Sequence, residues 1–442
     1  MPVSTRKGVD GIKPYWQSEC GRAAIYVGDC ANVMDQLERD QFHAIVTDPP
    51  YGLEFMGREW DAPWKTSGYI ETCDEGTDVS HPFRNGTQRV VYGREAKAYQ
   101  QWFYQRAAKM LRVAKPGAHM LSFGGTRMWH WMACAIEDAE WEIRDTIMWL
   151  YSSGFPKSHN VSQAIDKMMG AKRKAVGKGA SNLSQGQFNQ ANRVDGGYGF
   201  KADYDITAPA TPAAQQWDGW GTTLKPAVEP IVLARKATTG SVAECVMEHS
   251  CGALNIDACR VGTTGATIEK YVPTKTSTGS GIYQFNSGNV GDVSISSDFT
   301  KLQKDGRWPA NVLHDGSPDV VDSLPQGVSR YFYCAKGNDD DRPHGKGATT
   351  HPTVKPLDLM RYLVKLVCVP GGLVLDPFMG SGSTGCAVLI EGMRFVGIEQ
   401  SEEYADIAVG RLKLALQEAP ELKTQPAVDV PCGTRPPPKK LD

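Results

Sequence analysis

One short stretch constrains this chain more than any other. Residues 373–385 (LVLDPFMGSGSTG) pass from an apolar run, through glycines spaced G-x-G-x-x-G, into a helix-forming segment. The next apolar run, 394–398, ends at the acidic Glu399. A strand, a glycine loop, a helix and a second strand closed by an acid form one unit of an open α/β sheet, which binds ligands beyond the carboxyl ends of its strands. Glycine lets the backbone approach a ligand, and a helix N-terminus favours a negative group. The pattern alone leaves open which nucleoside cofactor binds, and three glycines with a following acid disfavour a purely structural turn. A phosphate-cradling loop is disfavoured, because no Gly-Lys-Ser/Thr follows.

The same alternation runs through the N-terminal part. Apolar runs at 24–28 and 43–47 each end at an acid, Asp29 and Asp48. A helix is expected over 99–114, stopped by Pro116-Gly117, then a strand at 118–123, a helix at 127–139 and a strand at 142–150. A strand returns at 229–235. Amphipathic helix 357–368, a helix at 383–391 and a last helix at 402–417 complete an α/β sheet with helices on its faces. Between these parts the chain is polar and rich in Gly, Ser, Gln and Asn, with little periodicity from 153 to about 222. The expected organisation is 20–152 and 351–417 as two halves of one domain and 153–219 as a basic inserted loop region. Residues 220–236 form a return strand, 237–350 a target-recognition region and 418–442 a disordered tail.

Composition removes several classes. A net charge of -2 argues against holding nucleic acid by bulk charge, while leaving room for a local basic face. No apolar run is long enough for a membrane span, and the first 20 residues lack the apolar core of a secretory signal. Eleven scattered cysteines read as reduced thiols in a cytoplasmic protein.

The second informative string is Asp48-Pro49-Pro50-Tyr51, directly after an apolar strand. For a planar aromatic amine each residue has a task. Asp48 accepts one amino hydrogen and the Pro49 carbonyl the other. The prolines fix φ and remove N–H donors, and Tyr51 offers a face for stacking. Two acceptors on its hydrogens would draw the nitrogen toward tetrahedral geometry and free its lone pair. Alone, the string is equally a strand-ending turn.

Together the two strings resemble the amino-methyltransferases of DNA in the permuted order called the beta class, with D-P-P-Y early and F-x-G-x-G late. Tyr26–Cys30, Trp220–Pro226 leading into EPIVLAR, and His351-Pro352-Thr353-Val354-Lys355-Pro356 are similar to further segments of that family. Residues 307–316 and 331–336 resemble its large phage and prophage members. The resemblance covers roughly 24–150 and 220–417. It implies a circularly permuted Rossmann-like methyltransferase sheet with a large irregular target-recognition insert. It also implies methyl transfer from S-adenosylmethionine to N6 of adenine, or alternatively N4 of cytosine, in double-stranded DNA. Asp48, Pro49, Pro50 and Tyr51 would hold the flipped base. Asp29 and Cys30 would face the cofactor's adenine, and Glu399 would bind its ribose. Asp376, Phe378, Gly380, Ser381, Gly382, Ser383 and Thr384 would form the loop at its methionine end, with Thr353 and Lys355 near the methionine carboxylate. D-P-P-Y goes mostly with adenine in this family, where N4-cytosine enzymes of this order mostly carry Ser first.

DNA contact is expected from the insert. Over 151–240 there are eleven Lys/Arg against six Asp/Glu, and Lys157, Lys172, Arg173, Lys174 and Lys178 cluster there as candidate phosphate ligands. Residues 185–193 (QGQFNQANR) carry side chains that read base edges, or form a linker. Cys245, His249, Cys251 and Cys259 lack a C-x-x-C pair, so no metal site is expected. A nicotinamide oxidoreductase would explain the glycines and leave D-P-P-Y without a role. An RNA methyltransferase and a catalytically vestigial DNA-binding protein are further alternatives. A standalone monomer or homodimer is expected, with no partner subunit and in a restriction-modification setting.

Overall fold

The protein, seen in a computed structural model, is described over residues 12–51, 94–152, 154, 158–180, 203–262, 306–325, 328–329, 332–334 and 354–420. Lys157, Thr353, His351, residues 185–193 and the tail from 421 lie outside these.

A ten-stranded sheet organises the described residues. In chain order its strands are β1 (Trp16–Gln17), β2 (Ala23–Val27), β3 (Phe42–Thr47), β4 (Ala114–Phe123), β5 (Glu142–Leu150), β8 (Val228–Arg235), β9 (Val312–His314), β10 (Tyr333–Cys334), β11 (Leu373–Asp376) and β12 (Arg394–Glu399). Strands β6 (Lys174–Ala180) and β7 (Asp203–Ala208) pair separately. The spatial order is β1-β2-β12-β11-β3-β4-β8-β5-β9-β10. Strands β2, β12, β11, β3 and β4 are mutually parallel, whereas β8 runs antiparallel to both β4 and β5. The late strands β11 and β12 thus sit between the early strands β3 and β2. The permuted order inferred from the sequence is visible in the sheet itself.

Strict alternation explains why both faces are covered. Tyr26, Ile45, Met120, Leu375 and Ile398 point to one face, and Ile25, Val46, Leu121, Val374 and Phe395 to the other. The first face packs on α1 (Cys30–Gln36), α2 (Arg94–Val113) and α3 (Trp129–Asp138), through Met34, Trp102, Phe103 and Ile136. The second packs on α8 (Leu357–Val367), α9 (Ser383–Ile390) and α10 (Glu402–Glu418), through Leu363, Val388 and Leu412.

The insert departs from the expectation of an irregular loop. Its described residues form α4 (Val161–Met168), the β6–β7 pair and α5 (Pro212–Gln216). The residues that α4 buries are Ser162 and Asp166. Asp166 accepts from Ala210 N at 2.9 Å, from Thr211 N at 3.1 Å and from the Thr211 hydroxyl at 2.7 Å. Arg173 donates to Asp166 at 2.8 Å, to Ser162 at 3.0 Å and to Thr207 at 2.9 Å. A core held by a buried ion pair carries no apolar period, so sequence patterning could not reveal it. This corrects the reading of Arg173 as a phosphate ligand, because its guanidinium is spent on the fold. Region 237–350 is likewise not all separate. Besides α6 (Val242–His249) and α7 (Pro318–Ser323), it gives the main sheet its last two strands, β9 and β10, each too short to be legible in sequence.

Candidate active site at the carboxyl edge of the sheet

The parallel strands β2, β3, β11 and β12 end at one edge, which places Asp29, Asp48, Asp376 and Glu399 around a single cavity of about 500 Å³. Strand β8 is reversed, so its first residues reach the same edge and bring Glu229 into the lining.

One side of the cavity is built from charged side chains. The Asp48 carboxylate accepts from the Tyr51 hydroxyl at 2.8 Å and from the Lys355 ammonium at 2.5 Å. Lys355 also reaches the Tyr51 oxygen at 3.3 Å and Glu229 at 3.4 Å. It lies over the rings of Tyr51 and Phe123, 5.5 and 5.0 Å from their centroids. Burial opposes its charge, but Asp48 and Glu229 outweigh burial and raise its pKa. Burial, with Asp48 and Glu229 adding to it, holds the Tyr51 phenol well above its ordinary value. The Pro50 carbonyl accepts from Tyr99 at 3.2 Å, which ties the double-proline loop to α2. Lys355, expected near the methionine carboxylate of the cofactor, lines this cavity with its ammonium on the Asp48 carboxylate.

The other side is built from backbone. Gly380 and Gly382 take φ of +53° and +85°, conformations that glycine adopts without penalty. A Cβ on Gly382 would stand 3.0 Å from the Ala408 methyl, so α10 packs directly on this turn. Gly382 shapes the loop from behind, while Phe378, Gly380, Ser381, Ser383 and Thr384 line the cavity. Arg411 donates to the Ser381 carbonyl at 2.9 Å and to the Ser381 and Ser383 hydroxyls at 3.0 and 3.1 Å, bracing the loop. Asp376 accepts from Thr47 at 2.7 Å and from Phe378 N at 3.1 Å. Burial pushes its carboxyl up to about 6, against the pull of those bonds. Glu399 accepts from Gly380 N at 2.8 Å and from Ser401 N at 2.9 Å, and burial raises its pKa.

Asp29 caps α1 through Ala31 N and Asn32 N and pairs with Arg106 at 3.0 Å. Arg106 in turn lies 4.2 Å from the centroid of Trp102, whose ring meets Phe378 at 5.8 Å. Burial pushes the Cys30 thiol up to about 12, so it remains protonated. Glu229, Trp102 and Arg106 are cavity residues that the sequence reading did not name. Lys172, Lys174 and Lys178 lie exposed on the insert, away from the cavity lining, and Lys178 pairs with Asp205 at 2.8 Å.

The cysteines weighed for metal are dispersed. Cys245 donates to the Pro116 carbonyl, Cys251 to that of His43 and Cys259 to that of Tyr362. Among the described residues no group of three His, Cys, Asp or Glu side chains could hold a metal ion, and no helix is long and apolar enough to cross a membrane.

Comparison with known proteins adds a family. Residues 42–410 match the DNA methylase family N6_N4_Mtase. The chain is 21% identical over 397 residues to the type II methyltransferase M.HindIII of Haemophilus influenzae, covering 88% of this chain and 94% of that protein. It is 33% identical over 135 residues to the type II methyltransferase M.ScaI of Streptomyces caespitosus, covering 30% and 40%. Among solved structures, PvuII DNA methyltransferase (cytosine-N4-specific) aligns over 91% of this chain and 89% of that chain, with 13% identity and a TM-score of 0.45.

Proposed function

The chain belongs to the DNA methylase family, and on that premise we propose that it transfers a methyl group from S-adenosylmethionine to N6 of adenine in double-stranded DNA. One observation carries the reading: the Asp48 carboxylate, framed by two prolines and Tyr51, shares a single cavity with the glycine loop and Glu399.

The residues present fit the cofactor. The Glu399 carboxylate takes backbone N–H bonds from Gly380 and Ser401 and keeps lone pairs for ribose hydroxyls. The Gly380 turn brings bare backbone to the cavity, and Phe378 supplies an apolar wall beside it. Asp29 and Cys30 would face the adenine. The cofactor supplies an electrophilic methyl group on a sulfonium.

This chain's residues act on the base. A base inside a duplex cannot enter such a cavity, so the target must be flipped out. Asp48 accepts one amino hydrogen and the Pro49 carbonyl the other, while the Tyr51 ring stacks on the base. These acceptors strengthen as positive charge develops on the nitrogen, which lowers the barrier and not only the binding energy. Asp at the first position of the motif is the ground for adenine over cytosine.

The insert is the proposed DNA-contacting element. Its stem leaves the β5–β8 end that carries Glu229: Tyr151 N donates to Ala227 O at 3.1 Å and Val161 N to Trp220 O at 3.1 Å. Beyond it stand exposed Lys172, Lys174 and Lys178 and an exposed edge-on pair, Trp217 and Trp220. Replacing the three lysines with alanine is expected to flatten the salt dependence of duplex binding, by up to about 0.9 in log–log slope per lost phosphate contact. An unchanged slope would remove the insert from the interface.

The function itself is tested by mass spectrometry of nucleosides from unmethylated DNA incubated with the protein and S-adenosylmethionine. N6-methyladenine is expected. N4-methylcytosine would keep the chemistry and overturn the base, and no methylated nucleoside on any supplied sequence would overturn the reading.

A further inference from the structure

Asp48 and Lys355 alone would be a neutral pair, their atoms 2.5 Å apart. A neutral pair has little with which to favour positive charge on a third group. Yet methylation leaves the amino nitrogen positively charged until one of its protons departs to the surrounding acceptors. Glu229 alters this balance. Its Oε2 lies 3.4 Å from the Lys355 ammonium and 3.2 Å from the Tyr51 hydroxyl. Two carboxylates against one ammonium leave a single negative charge in surplus.

We infer that Glu229 is a positioning residue that holds the Lys355 ammonium, so that Asp48 keeps its negative charge for the amino nitrogen of the target base. The inference deepens the proposed methyl transfer and rests on it.

Three features support it. The ammonium has three hydrogens and three acceptors around it, Asp48, Tyr51 and Glu229, so it is fixed in place by a complete set. Glu229 sits opposite Trp149 in the β5–β8 ladder, at the end of the one strand reversed between parallel neighbours. Only that reversal brings its side chain to this edge. Finally, the Glu229 side chain is 19% exposed and that of Lys355 9%. Burial pushes the Glu229 carboxyl up and Lys355 pulls it back, as expected of a buried carboxylate kept for its partner.

Charge counting gives an ordering that a structural role does not. The native cluster carries a surplus of one negative charge. Glu229→Gln has none, and Glu229→Gln with Lys355→Met restores it. Single-turnover methyl transfer to duplex DNA by the full chain is the measurement, with calorimetric cofactor affinity beside it. Glu229→Gln is expected to slow transfer roughly 10- to 100-fold while cofactor affinity holds. The double variant is expected to be faster than Glu229→Gln. A double variant no faster than Glu229→Gln, or Glu229→Gln at the native rate, overturns the inference. If Glu229→Gln loses cofactor binding, Glu229→Asp decides: retention of most of the transfer rate supports the charge role, and a loss as deep as that of Gln overturns it. A native protein that methylates no base overturns the underlying reading instead, so the two failures are distinguishable.

Discussion

The two sides of the cavity keep their shape by different means. Around Asp48, four side chains from three separate segments meet in one ion-pair cluster, Tyr51 from the same loop and Glu229 and Lys355 reaching across the sheet edge. Around Gly380, the shape is set by backbone: two positive φ angles, an N–H bond into Glu399 and a helix packed on a missing Cβ. The first side is tuned by charge and is broken by removing it. The second is tuned by volume and is broken by adding it. A methyl group added to one side and a carboxylate removed from the other should therefore fail in separable ways.

The largest expected effect is Asp48→Ala. It removes the acceptor for the target amine and leaves the Lys355 ammonium with Glu229 as its sole carboxylate partner among the described residues. Transfer rate should fall by at least about 1,000-fold. Cofactor affinity, read by calorimetry, should survive, because no glycine-loop contact involves Asp48. Equal loss of both would merge the two sides into one unit and end the comparison.

Gly382→Ala probes the opposite side. The residue would hold a side chain at φ +85° with its Cβ 3.0 Å from that of Ala408. Stability should drop by about 1–3 kcal/mol, and cofactor affinity should weaken with it. The rate at saturating cofactor should stay near native. Thermal melts with and without cofactor check the first part, and a rate against cofactor concentration the second. A lowered saturating rate with unchanged affinity would contradict the division.

Sequence legibility followed the same division. Asp29, Asp48, Asp376 and Glu399 were readable because each closes an apolar strand that ends at the ligand edge. Glu229 was not, because it opens a strand. The rule that points to carboxyl ends misses a strand that runs backwards between parallel neighbours. Trp102 and Arg106 were hidden inside a helix whose period announces only burial. The insert was opaque for a third reason: its centre is the Arg173–Asp166 pair with three hydroxyl side chains, and polar cores have no hydrophobic period.

Asp376 is where the two sides touch. Its carboxylate takes the Thr47 hydroxyl from the strand that leads to Asp48 and the Phe378 N–H from the glycine loop. Burial, the largest influence, raises its pKa from 3.8 to about 6, and the nearby Asp48 charge adds to the rise. The folded protein therefore holds a proton here that the unfolded chain has released. Between about pH 4 and pH 6 the folded state binds more protons than the unfolded one, so this group's contribution to stability falls as pH rises. Above about pH 6 the cost is constant, of order 3 kcal/mol. Asp376→Asn keeps an acceptor for Thr47 and Phe378 and cannot ionise. Its stability relative to the native protein should improve with rising pH across that window and then level off. Chemical denaturation at pH 4, 5, 6 and 7 measures the difference, and a difference independent of pH would show that Asp376 is not strained by its charge. Asp48→Ala in the same series removes the neighbouring charge and should move the step slightly lower, which sets the size of the coupling between the two sides.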